Sequence, residues 1–223
     1  METLWKPLEE LNAYGGAREC IERGRMPVQI SGCIDGQKSH LISGLAQSKK
    51  WTVIVAANER KARELLADYR MYDKEAVFYP AKDVIFYSAD VHGNAVETER
   101  LKTIKSLFDQ EGGTVITTMT AGMEYVQSLS VYKKSCRRLE EGGQVDLEEL
   151  TRSLADMGYE RQGQVDGPGE YSIRGGILDI YPPTGECPYR IELWGDEIDT
   201  IRSFDVESQR SIERVSELVI FPA

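Results

Sequence analysis

A chain of 223 residues holds one large domain or two small ones, and 41% hydrophobic with 29% charged residues is ordinary for a soluble globular protein. A net charge of −10 argues against a strong nucleic-acid binder, because phosphate binding needs a concentrated basic surface. The longest apolar run, Val53–Ala57, is too short to span a bilayer, and the four scattered cysteines and two histidines have neither a disulfide framework's spacing nor a zinc site's.

No basic-then-apolar leader is expected at METLWKPLEE, and a reduced cytoplasmic setting is the simplest one. In chain order, Met1–Arg25 reads as helix interrupted at Gly15-Gly16 and stopped at Gly24. Val28–Ile30 reads as a short strand leading into a glycine-bearing loop and a helix to about Gln47. Trp51–Ala57, Ala76–Tyr79 and Thr114–Thr118 read as strands, with helices at Glu59–Met71 and Ala95–Phe108 between them. Alternating strands and helices predict a parallel sheet covered on both faces, filling a first domain over residues 1–127.

A second domain over 128–217 is expected to be α+β with a mainly antiparallel sheet. Val131–Leu139 reads as a strand. Asp146 is placed to cap a helix over Leu147–Met157, with Glu149 as a capping-box partner and Gly158 as its stop. Tyr159–Val165 reads as a strand, and a meander follows through Tyr171–Arg174, Ile177–Tyr181, Tyr189–Trp194 and Ile198–Phe204, separated by Gly and Pro turns. Residues 218–223 read as a truncated return strand, expected to pair back into the first sheet.

Alternation places Tyr189, Ile191 and Leu193 on the core face of the third meander strand. Arg190, Glu192 and Trp194 then share the other face, which Arg174 can join. Two readings of that face stand side by side. It is an interface, where Arg and Trp are enriched, or it is a solvated face with Arg190 beside Glu192.

The loop at Gly32 is the sharpest enzymatic lead. A phosphate-binding loop reads G-x-x-x-x-G-K-[ST]. Gly32, Lys38 and Ser39 are in place, but Gln37 stands at the second glycine. The first domain's strands end in Asn58, Pro80 and Thr118, so none ends in the acidic pair that would hold magnesium for hydrolysis. A loop retaining only the shape of a phosphate site is the favoured reading, and no catalytic residue, metal ligand or cofactor is assigned.

The segments GEYSIRGGILDIYP, PYRIELWGDEIDTIRSFD and SFDVESQRSIERV resemble the second domain of the excision-repair protein UvrB. They resemble more closely the matching N-terminal region of bacterial transcription-repair coupling factors. The damaged loop at Gln37 and the short PAKDVIFYSADVHGNAVETER, which lacks UvrB's tyrosine-rich hairpin, both favour the coupling factors. The resemblance implies a helicase-like α/β domain without ATPase activity and an inserted domain that binds UvrA through Arg174, Arg190 and Trp194. It also implies that ATP, magnesium, DNA and RNA polymerase are engaged by other parts of a longer protein, in which a C-terminal domain can cover the UvrA face. The alternative is the ATP-binding half of a UvrB-type enzyme.

Overall fold

The structure, a computed structural model, describes residues 4–47, 49–82 and 91–223. The chain divides into two compact units, Met1–Val84 with Asp109–Glu124, and Ile85–Phe108 with Tyr125–Ala223.

In the first unit, short α1 (Lys6–Glu9) and α2 (Asn12–Glu22) precede α3 (Asp35–Ala46). α2 runs through Gly15 and Gly16 without a break. Strand β1 (Trp51–Ala56), helix α4 (Glu59–Tyr69) and strand β2 (Val77–Tyr79) follow. Helix α5 (Val91–Asp109) leads out of the unit, and strand β3 (Gly113–Thr118) with α6 (Met119–Gly122) returns to it. The strands form a parallel sheet in the order β1-β3-β2.

Asn58 starts α4 by accepting a hydrogen bond from the Lys61 amide at 2.9 Å. Ala62, Leu66 and Tyr69 then form one helical stripe against Ile54, Phe78 and Ile116. Two expectations fail here. Residues 25–31 take no regular structure, so no strand leads into the loop at Gly32. Val53 and Val55 are exposed, so edge strand β1 is covered on one face only. Residues 83–90, within the segment that reads as lacking the tyrosine-rich hairpin, lie outside the described residues.

The second unit continues with α7 (Leu129–Ser135) and β4 (Arg137–Glu140). The predicted strand Val131–Leu139 is thus mostly helix, and only its end is strand. Helix α8 (Leu147–Asp156) follows, then β5 (Glu160–Arg161), β6 (Glu170–Arg174), β7 (Ile177–Ile180), β8 (Tyr189–Trp194) and β9 (Glu197–Phe204). β10 (Ser211–Arg214) and β11 (Glu217–Ile220) close the chain. The predicted strand Tyr159–Val165 shrinks to β5.

β10-β9-β8-β7-β6-β5 form one sheet, antiparallel except for the parallel pair β5–β6. Residues 218–223 do not return to the first sheet. β11 pairs antiparallel with β4 inside the second unit, Leu218 opposite Leu139. Short apolar patterns choose whichever edge is near, and the sequence does not say which one that is.

Asp146 caps α8 by accepting from the amides of Glu148 and Glu149 at 2.8 and 3.1 Å. Among the described residues the reciprocal bond from the Glu149 side chain is absent, so the capping box is half made. At the other end Gly158 sits at φ 91°, and Gly158 and Tyr159 return their amides to Ala155 and Leu154 in a Schellman turn. Leu150, Leu154 and Met157 pack on Leu178, Ile180, Ile191 and Ile201, and Leu139, Leu218 and Ile220 complete that core. Tyr159 donates its hydroxyl to the carbonyl of Phe221 at 2.7 Å, and Phe221 stacks on Tyr132 and meets Phe108 edge-on.

Ile220 is fully buried. Ile220→Ala should therefore lower the opening free energy of the β7–β9 amides by about 2–5 kcal/mol, read by native-state hydrogen exchange. An unchanged value would mean that β11 is not part of this core.

Candidate protein-interaction face

The meander aligns its side chains in rows. Register places Ser172, Asp179, Arg190, Arg202 and Arg214 side by side across five strands, and Arg174, Ile177, Glu192 and Thr200 in the next row. Trp194 lies one step further along β8 on the same face. Two tight turns set this arrangement. Gly175 and Gly195 open two-residue hairpin loops at φ 60° and 63°, the backbone that a type II′ turn requires of its first residue. A Cβ at Gly176 would lie 2.9 Å from the Leu193 carbonyl, so β7 and β8 close tightly there. Arg174 and Trp194 therefore stand at the same end of the sheet.

Three arginines side by side repel one another unless acids intervene. Asp179 does this at one end of the row, and it is 1% exposed. Arg190 grips it with two bonds, Nε to Oδ1 at 2.7 Å and Nη2 to Oδ2 at 2.9 Å. Arg174 donates its Nη2 to the same Oδ2 at 2.6 Å. At the other end Arg214 donates to Glu141 at 2.8 Å, and that bond holds the Glu141 carboxyl below its usual range.

Arg190 is held from further sides. Its Nη2 reaches Gln209 Oε1 at 3.2 Å, its Nη1 reaches the Gln209 carbonyl at 3.4 Å, and its guanidinium lies 4.6 Å over the ring of buried Phe204. Gln209 adopts φ 56°, a left-handed backbone that costs a side-chain-bearing residue about 1–2 kcal/mol. The turn is fixed by Asp205, which accepts from the amide and hydroxyl of Ser208. Arg190 keeps 18% of its side chain exposed, Arg174 keeps 50%, and Trp194 is 86% exposed. Glu192 does not pair with Arg190. Its Oε2 accepts from Thr200 at 3.0 Å.

The face thus brings together Arg174, Arg190 and Trp194, as the alternation predicts, and adds Asp179. Sequence reasoning missed Asp179, although the alternation of Ile177-Leu178-Asp179-Ile180 already sets it opposite the core residues Leu178 and Ile180.

The loop around Gly32 lies in the other unit. Gly32 is at φ 82°, but α3 begins at Asp35, so Gly36 and Gln37 are both helical and Gln37 bears no left-handed strain. Lys38 donates to Asp35 Oδ1 at 2.6 Å, and Lys61 donates to Oδ2 at 3.0 Å. Ser39 is buried, and among the described residues its hydroxyl has no partner. The lysine of the motif is thus engaged by the carboxylate of the first residue of its own helix. Among the described residues no group of His, Cys, Asp or Glu side chains is placed to hold a metal ion, and no helix is long and apolar enough to cross a membrane.

The hydrogen bond from Lys38, then that from Lys61, lowers the Asp35 carboxyl to about 2 from the ordinary 3.8. A depressed folded value stabilises above the ordinary one, and that contribution fades as pH falls through about 4 to about 2. Carboxyl-carbon NMR should show Asp35 titrating near 2, with Lys38→Ala moving it upward. Titration near 4 in both proteins would show that the pair does not form.

Residues 138–223 match the family model of the UvrB interaction domain. The chain is 34% identical over 209 residues to the transcription-repair-coupling factor of Bacillus subtilis, covering 87% of this chain and 18% of that protein. It is 32% identical over 203 residues to the same factor from Staphylococcus epidermidis and Staphylococcus aureus, covering 84% of this chain and 17% of each. The chain therefore spans under a fifth of the length of the curated relatives it matches. Over most of its own length this chain is thus similar to part of the bacterial transcription-repair-coupling factors, and residues 138–223 match the UvrB interaction domain.

Proposed function

We propose that this chain is a non-catalytic recruitment module that binds UvrA through the face carrying Arg174, Arg190 and Trp194. One observation carries the reading. Within the residues that match the UvrB interaction domain, two guanidinia are pinned on a buried carboxylate on the same sheet face as an indole that is 86% exposed. An isolated exposed Trp is unremarkable. A Trp at the same end of the sheet as the tethered Arg174, on the face that also carries Arg190, has the composition of an interface anchor.

The relatives' printed name, transcription-repair-coupling factor, supports a place in transcription-coupled repair. In this reading the first unit is a helicase-like domain whose loop at Gly32, Gln37, Lys38 and Ser39 is vestigial. It needs no ATP or magnesium of its own. The remainder of a longer cytoplasmic protein supplies the ATP-driven DNA translocase and the contact with RNA polymerase. A second reading, the ATP-binding half of a UvrB-type enzyme, is favoured only by the retained Gly32, Lys38 and Ser39, and Asp35 on Lys38 counts against it.

Trp194→Ala removes no buried group, so it should leave the melting temperature unchanged and weaken binding to purified UvrA by about 2 kcal/mol or more. Wild-type affinity in that variant would remove the face from the account. Millimolar magnesium-ATP should leave the melting temperature where it is. A rise that Lys38→Ala abolishes would instead support the enzyme reading.

A further inference from the structure

We propose that Asp179 is the positioning residue of this face, and that the two arginines divide the work: Arg190 is spent inside the domain, and Arg174 takes a carboxylate from the partner. The inference rests on the UvrA reading and states what chemistry the partner must present.

The donors decide the division. A guanidinium has five N–H groups. Arg190 commits four of them, two to Asp179 and two to Gln209, and its plane covers Phe204. Arg174 commits one, through Nη2, and is half exposed. Its remaining edge is turned to no other group of the described residues. That edge has the geometry to receive a carboxylate with two parallel bonds.

Asp179 fixes where the edge points. Arginine in water samples many rotamers, and tethering Nη2 at 2.6 Å removes most of that freedom before binding. Arg190 in turn keeps Asp179 aimed, with the Gln209 loop behind it. The cluster of two arginines and one aspartate keeps a single positive charge, so an acidic side chain is the matching partner. Trp194, at the same end of the sheet, then supplies apolar contact beside the ion pair.

Asp179→Asn separates positioning from charge. It raises the cluster from one positive charge to two and leaves one acceptor oxygen where two served both guanidinia, which loosens the hold on Arg174. If the face worked by net charge alone, the variant would bind an acidic site more tightly. Positioning predicts the reverse, binding about tenfold weaker. The same change made in Arg174→Ala should have no further effect on affinity, because Asp179 acts through Arg174.

The experiment is a titration of purified UvrA by the wild-type chain, Asp179→Asn, Arg174→Ala and the double variant, with thermal melting of each. Weakening in Asp179→Asn that vanishes in the Arg174→Ala background supports the proposal. Tighter binding, or losses that simply add, overturns it. Should Asp179→Asn melt below the assay temperature, Arg174→Lys decides, since lysine keeps the charge but not the fork. Affinity like that of Arg174→Ala supports the proposal, and wild-type affinity overturns it. No binding by the wild-type chain would instead refute the UvrA reading, and this inference would fall with it.

Discussion

The buried carboxylate of Asp179 is the constraint on which the second unit's outer face depends. An ionised acid that is 1% exposed is tolerated only with matched donors, and two arginines on neighbouring strands provide them. That requirement ties β6, β7 and β8 to one register. A slip of β7 by one residue would turn Asp179 into the core, away from both arginines, and would turn Leu178 and Ile180 out of it. The tight turns at Gly175 and Gly195 and the Gln209 loop serve the same end. They hold the strands, and the guanidinium of Arg190, where the acid can be satisfied.

The two units treat their cations differently, and the difference bears on function. In the first, Lys38 and Lys61 share Asp35 on an exposed helix end, which is a weak surface arrangement. Among the described residues no strand precedes the loop at Gly32. In the second, the acid is buried, the bonds are bidentate, and one arginine is left with donors turned outward. Recognition by a protein partner needs that kind of preorganisation, because side chains fixed before association lose less entropy on binding.

Much of the second unit was legible in the sequence for identifiable reasons. The meander announces itself because strand formers alternate and glycine or proline interrupts them, and β8 falls where the pattern sets it, at Tyr189–Trp194. Helix α8 is marked by Asp146 and Gly158 at its ends and by the Leu150–Leu154 stripe. The failures share one cause, which is that short apolar runs carry no address. Val28–Ile30 finds no partner and stays irregular. Val131 and Tyr132 enter α7, and Leu218–Phe221 turns to β4 across a separation that local pattern cannot span. At the site, residue type drew attention to Arg174, Arg190 and Trp194. Asp179, which organises them, sits in a run that reads as an ordinary core strand. Only the cross-strand register shows that it faces the arginines.

The central claim is that this sheet face is the surface that meets UvrA, and hydroxyl-radical footprinting tests it most directly. Trp194 is 86% exposed, and Met71 and Met123, each 81% exposed in the first unit, are internal controls of similar reactivity class. On adding purified UvrA, the oxidation rate of Trp194 should fall several-fold while those of Met71 and Met123 stay as they were. An unchanged rate at Trp194 in a sample where UvrA is bound would contradict the account and move the interface elsewhere on the chain.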